Sequence, residues 1–181
     1  MTLLRAEVSA LLVIDVQARL LPHIHAGAAT LEHCHWLVRV ARRLDVPVLA
    51  SEQYPEGLGP TVAPLVDDLP PENIRRKTHF SCVADGCFHD HPGFSRPQVV
   101  VCGTEAHVCV LQTALDLRQR GREVFVVAEA VSSRRPESKA LALDRMRQHG
   151  VEIVDREMVA FEWLHRAGDD RFRAVSREFI R

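Results

Sequence analysis

Five short apolar runs recur along the chain: Ala10–Ile14, Val46–Ala50, Gln98–Cys102, Val124–Val127 and Val151–Val154. They are nearly continuous in apolar character rather than alternating, the pattern of strands covered on both faces. A sixth, weaker strand is predicted around Asn73–Thr78. Helical patterns lie between the runs. Leu37, Val40, Ala41 and Leu44 follow i, i+3, i+4, i+7 spacing in a helix running roughly from Ala28 to Leu44. Ala106, Val110, Thr113, Ala114 and Leu117 mark a second, which stops before Gly121, a good C-terminal cap. A third begins near Pro136, whose fixed φ suits a first helical turn, and reaches His149 before Gly150. A terminal amphipathic helix spans Asp169–Ile180 through Phe172, Val175 and Phe179. Strands alternating with helices imply parallel βαβ units. The predicted fold class is α/β: a three-layer α/β/α sandwich, Rossmann-like, around a central, mostly parallel sheet.

No repeat, linker or low-complexity tract divides the sequence, and 181 residues suffice for one domain with a substantial core. In open α/β sheets, sites form beyond the carboxyl ends of the strands, near a topological switch point. The residues there are Asp15, Ser51–Glu52, the Lys77 region, Gly103–Thr104 and Glu129. One turn beyond stands Cys109. That edge therefore combines acids, a lysine and a thiol.

Composition narrows the function classes. Hydrophobic residues make up 46% and charged residues 26%, which suits a folded globular chain. A net charge of -1 lacks the footprint of a nucleic-acid binder. No apolar stretch is long enough to span a bilayer, no polybasic run suggests a membrane surface, and the N-terminus does not read as a secretory signal. The expected location is the cytoplasm, with the five cysteines reduced. Lys77 and Lys139 are the only lysines in an arginine-rich chain. A lysine in such a setting can mark a need for a compact, tunable ammonium, or reflect chance.

Cys109 follows a strand and a turn, which puts it at a helix start. Unpaired N–H groups and the positive dipole end favour a thiolate there and offer donors to an oxyanion. A buried structural thiol fits the position as well. Asp15 can accept a thiol proton and later activate water, or simply cap a turn. Lys77 can lower the thiol pKa and steady negative charge, or stand solvated at the surface. Each is weak alone. Their convergence on one sheet edge carries more.

Three ordered motifs make a resemblance specific. Val99–Val110, reading VVVCGTEAHVCV, resembles the nucleophile motif of the isochorismatase-like cysteine hydrolases. LVIDVQ ending at Gln17 resembles their N-terminal acid motif, and RKTHFS ending at Ser81 their lysine motif. Ser51–Thr61 and Glu129–Arg134 resemble the isochorismatase domain-containing subgroup, and the match reaches about Leu164. The resemblance implies Cys109 as nucleophile, Asp15 as general acid/base and Lys77 as charge partner. It also implies a non-proline cis peptide at Thr104–Glu105, which costs about 2.5–4 kcal/mol. That bond would aim the N–H groups of Glu105 and Cys109 at the oxyanion. The implied chemistry is attack on a small carboxamide-type carbonyl, a thioester, loss of ammonia or an amine, then hydrolysis.

Departures set limits. Members that hydrolyse nicotinamide carry a metal-binding Asp/His cluster where this chain has Gln53–Tyr54–Pro55, so neither that metal nor a cofactor is expected. Ala106–His107 replaces a Thr-Asp found in many members; His107 either faces the pocket or points to solvent. Gln17, Tyr54, Phe80 and Leu20 sit beside the catalytic positions and can line a small pocket, with Gln17 and Tyr54 the better candidates. Cys82, Cys87, His89 and His91 offer zinc-ligand types without a matching spacing. His23, His25, His33 and His35 read as solvated. A homo-oligomer and a small-molecule substrate are expected. The alternatives to amide hydrolysis are an isochorismatase-type vinyl-ether hydrolase and a silent binding or scaffolding protein. A thiol redox protein is disfavoured because no Cys-x-x-Cys pair occurs.

Overall fold

The computed structural model describes residues 2–180. Six strands are β1 (Ser9–Ile14), β2 (Val48–Gln53), β3 (Ile74–Lys77), β4 (Gln98–Thr104), β5 (Glu123–Ser132) and β6 (Glu152–Val154). Helix α1 (Gly27–Arg43) follows β1, the short α2 (Pro55–Leu58) and α3 (Leu65–Asp68) follow β2, and α4 (Cys82–Asp85) follows β3. Helices α5 (Leu111–Gln119) and α6 (Pro136–Gln148) follow β4 and β5; α7 (Arg156–Leu164) and α8 (Asp170–Val175) close the chain. The strands lie in the order β3-β2-β1-β4-β5-β6, every pairing parallel. This is the doubly wound order, with its switch point between β1 and β4.

Strand β1 explains the layering. All six of its residues are buried, and successive side chains point to opposite faces. Leu11 and Val13 enter a core walled by α1, α7 and α8, with Val38, Trp163 and Val175. Leu12 and Ile14 enter the core under α4, α5 and α6, with Val83, Val110 and Met146. Burial on both sides is what forces the continuous apolar run, at about 1.5–3 kcal/mol for each fully buried Leu or Ile.

Several boundaries differ from the sequence reading. Val46 precedes β2, because its N–H closes the end of α1 on the Ala41 carbonyl. Strand β5 extends to Ser132 across a register shift opposite Val101–Gly103. The second helix begins with a π-helical turn, Ala106–Val110, and the terminal helix ends in another, Ser176–Ile180. Gly103 has φ 127°, and a Cβ there would lie 2.1 Å from the Ile14 carbonyl oxygen. The missing side chain lets β4 close on β1 beside Asp15.

Candidate active site

Three central strands end in left-handed, non-glycine residues: Asp15 (φ 53°) after β1, Tyr54 (φ 37°) after β2 and Glu105 (φ 54°) after β4. Such conformations persist where surrounding bonds hold them. The Asp15 N–H donates to the Ser51 carbonyl at 3.1 Å, and its carbonyl accepts from Thr104 Oγ1 at 2.6 Å. The Tyr54 N–H donates to the Lys77 carbonyl at 2.9 Å.

Parallel register then brings the side chains together. Ile14 pairs with Ser51 and with Gly103, and Gln53 pairs with Lys77. Ser51 and Gln53 lie two apart, so both face the same side of β2. Ser51 Oγ donates to Asp15 Oδ1 at 2.6 Å. Lys77 Nζ donates to Asp15 Oδ2 at 2.8 Å and to Gln53 Oε1 at 2.6 Å. The Asp15 and Lys77 side chains are fully buried, so water cannot stand in for either partner. Burial opposes the charge on Lys77, but Asp15 with the neighbouring Cys109 and Cys82 outweighs it and holds the Lys77 pKa above its ordinary value.

Cys109 sits in the π-helical turn with 4% of its surface exposed. Burial first, then the Asp15 charge, pushes its thiol well above the ordinary cysteine range, against the opposing pull of Lys77. The sulfur is thus protonated at rest and electrostatically tied to both members of the ion pair. The Glu105 carbonyl accepts from the N–H groups of Val108 (2.9 Å) and Val110 (3.3 Å), while the Glu105 N–H has no backbone acceptor among the described residues.

The other expected site residues divide. Gln17 does not line a pocket. Its side chain is enclosed, with Nε2 donating to the carbonyls of Gln53 (3.0 Å) and Gly59 (2.7 Å) and Oε1 accepting from the Gln53 N–H (2.9 Å). It fixes the residue that holds Lys77. Tyr54 is exposed and lines a cavity of about 250 Å³ with Arg76, Lys77, Thr78 and Asp85. Phe80 is exposed nearby but outside that lining. His107 is half-buried, with Nδ1 at 2.9 Å from Ser133 Oγ and 3.2 Å from Glu105 Oε2, and faces a separate cavity of about 370 Å³ with Arg134, Arg135 and Ser138. The expected cis bond at Thr104–Glu105 is trans; among the described residues the one cis peptide is Ala63–Pro64. Left-handed Glu105 makes the turn instead, its buried carboxylate held by Arg134 Nε at 2.8 Å.

The sequence places Ser51 and Thr104 at the sheet edge without a role, and gives none to the side chains of Gln53 and Glu105. The available signal was the polar end of β2, Ser51-Glu52-Gln53, in which Ser51 and Gln53 share a face. Among the described residues no three His, Cys, Asp or Glu side chains could together hold a metal. His91 is spent on Asn73 (3.1 Å) and the Gly93 N–H (3.0 Å), and His89 on the Gly86 carbonyl (2.9 Å).

Residues 9–158 match the isochorismatase domain. The chain belongs to the isochorismatase family. Among isochorismatase relatives, the mouse isochorismatase domain-containing protein 2A is 38% identical over 174 residues, 94% of this chain and 82% of its own length. The zebrafish isochorismatase domain-containing protein 2 is 36% identical over 171 residues, covering 93% and 85% respectively. A solved Caenorhabditis elegans structure described as MAR1 ribonuclease superposes with a TM-score of 0.91 at 33% identity, covering 97% of this chain and 91% of that one. In this isochorismatase-family hydrolase fold the acid, the amine and the thiol stand at or just beyond the carboxyl ends of β1, β3 and β4. No helix among the described residues is long and apolar enough to cross a membrane.

Proposed function

We propose that the chain hydrolyses a small amide or related C–N substrate through a thioester on Cys109. The observation that carries this is the wholly buried Asp15–Lys77 pair at 2.8 Å, with the Cys109 thiol in the field of both. A pair so placed supports proton transfer: Asp15 takes the thiol proton as the sulfur attacks the carbonyl carbon. The Lys77 ammonium balances the charge that leaves the carboxylate and builds on the substrate. The N–H groups of Glu105 and Cys109 receive the carbonyl oxygen. Collapse breaks the C–N bond, and Asp15 returns the proton to the departing amine. Water, deprotonated by Asp15, then cleaves the thioester and restores the thiol. No metal or cofactor enters these steps. The cavity beside Tyr54 and Lys77, about 250 Å³, has room for a small molecule at the approach to this pair, although neither Asp15 nor Cys109 lines it.

An RNA substrate is not favoured, because a net charge of -1 lacks the overall basic balance of a nucleic-acid binder. The test is incubation with a panel of small amides and ureides followed by intact-mass measurement. An acyl adduct on wild type, absent from folded Cys109→Ala, is the expected result. Equal hydrolysis of a substrate by both proteins would remove Cys109 from the mechanism.

A further inference from the structure

The segment Cys82–His91 mixes thiols and imidazoles, and the structure splits it. The two histidines are bonded elsewhere, whereas Cys87 folds back onto Cys82. Helix α4 runs only from Cys82 to Asp85, and Gly86, at φ 76°, folds the chain back. This brings Cys87 back against Cys82, its Sγ donating to the Cys82 carbonyl oxygen at 3.7 Å. Cys82 is wholly enclosed and fixed, its N–H on Thr113 Oγ1 at 3.1 Å and its thiol beside the Ser51 hydroxyl. Cys87 is partly exposed. One sulfur therefore faces the Asp15–Lys77 network while its partner opens toward solvent.

We propose that Cys82 and Cys87 are an oxidation site, where hydrogen peroxide joins the two thiols in an intramolecular disulfide beside the Asp15–Lys77 pair. The Cys87 sulfur, the one open to solvent, attacks a peroxide oxygen, breaking the O–O bond and leaving a sulfenic acid and a first water. The Cys82 sulfur then attacks the Cys87 sulfur and expels the hydroxyl as a second water. Two thiols are oxidised, one peroxide is reduced, and the two thiol protons leave in the waters. Access sets this order, because Cys82 is wholly enclosed, and the polarity of the pair suits Cys82 to the second attack. Burial would raise the Cys82 pKa, but the hydrogen bond from Cys87 and the charge of Lys77 hold it below the ordinary range; the Cys87 thiol, donating to Cys82, is held above. Cys87 already lies against Cys82 and the two enclose a short loop, so joining them needs little rearrangement. Cys34 and Cys102 form a contrasting pair. Both are fully enclosed in the core, with Cys34 Sγ donating to the Ala130 carbonyl at 3.3 Å, and neither has a path for an oxidant.

This inference stands apart from the hydrolytic reading, and its test needs no substrate. Full-length protein is treated with hydrogen peroxide, blocked with N-ethylmaleimide and cleaved on the amino side of aspartate without reduction. Asp85 stands between the two cysteines, so Cys82 falls in fragment 68–84, Cys87 in 85–89, and Cys102 with Cys109 in 90–115. The expected result is that 68–84 and 85–89 stay joined until dithiothreitol is added, and that the joined species vanishes in Cys87→Ser. Maleimide on both Cys82 and Cys87 after peroxide has consumed Cys109 would overturn the proposal. So would fragment 68–84 joined to 90–115 instead.

Discussion

A carboxylate and an ammonium enclosed at 2.8 Å stabilise each other mainly because each makes the other's burial tolerable. Removing one charge should therefore harm the fold more than removing both. Lys77→Met is expected to lose about 3–5 kcal/mol in urea unfolding, because Asp15 keeps a buried charge. The double variant Asp15→Asn/Lys77→Met should recover most of that loss while remaining inactive. Equal stability of the single and double variants would show that the pair is not coupled. At this scale Asp15 and Cys109 were locatable because they end or follow apolar runs, whereas Lys77 ends the arginine-rich strand β3 and was placed by its motif. Their supports were not legible. The role of Gln17 depends on reaching two carbonyls from other loops, and that of Ser51 on its register beside Ile14. Neither relation is encoded in residue type or spacing.

Elements show the same division. Strands β1 and β4 were readable because burial on both faces removes polar residues from the sequence itself. The π-helical turn at Ala106–Val110 was not, because apolar spacing over five residues does not separate a π turn from an α turn. Nor does a lone glycine at the end of a strand announce that another backbone lies against it. Gly103 is such a case: a methyl group there would collide with the Ile14 main chain, and its φ of 127° disfavours any L side chain. Gly103→Ala should cost about 3 kcal/mol or more, beyond ordinary overpacking, because backbone cannot rotate aside as a side chain does. A drop in thermal midpoint measures it. A midpoint equal to wild type would contradict the close approach of β4 to β1.

At the level of the whole molecule, the alternation of strands and helices was enough to infer a parallel sheet. It did not reveal that β1 lies centrally between β2 and β4, which depends on long-range pairing. The buried thiol also links the fold to pH. The Cys109 pKa is higher in the folded chain than in the unfolded one, so the folded state binds that proton more tightly. Its stabilising contribution is complete below the unfolded cysteine value, about 8.5, and is lost as pH rises through the higher folded value. Lys77, also raised, acts in the same direction at still higher pH. The protein should lose stability progressively above about pH 8.5, and Cys109→Ala should flatten the lower part of that decline in urea titrations at stepped pH. A steeper decline in the variant would reverse the sign of the assignment.

The central place of β1 also governs when a reactive centre can exist. Its neighbour β2 arrives soon after it along the chain, but β4 and the turn carrying Cys109 come only after β3 and α4. A nascent chain that stops short of Gln98 already contains the acid and the amine, yet lacks both the strand that walls off β1 and the Cys109 sulfur. On the proposed mechanism, competence comes with closure of the sheet rather than with any single segment.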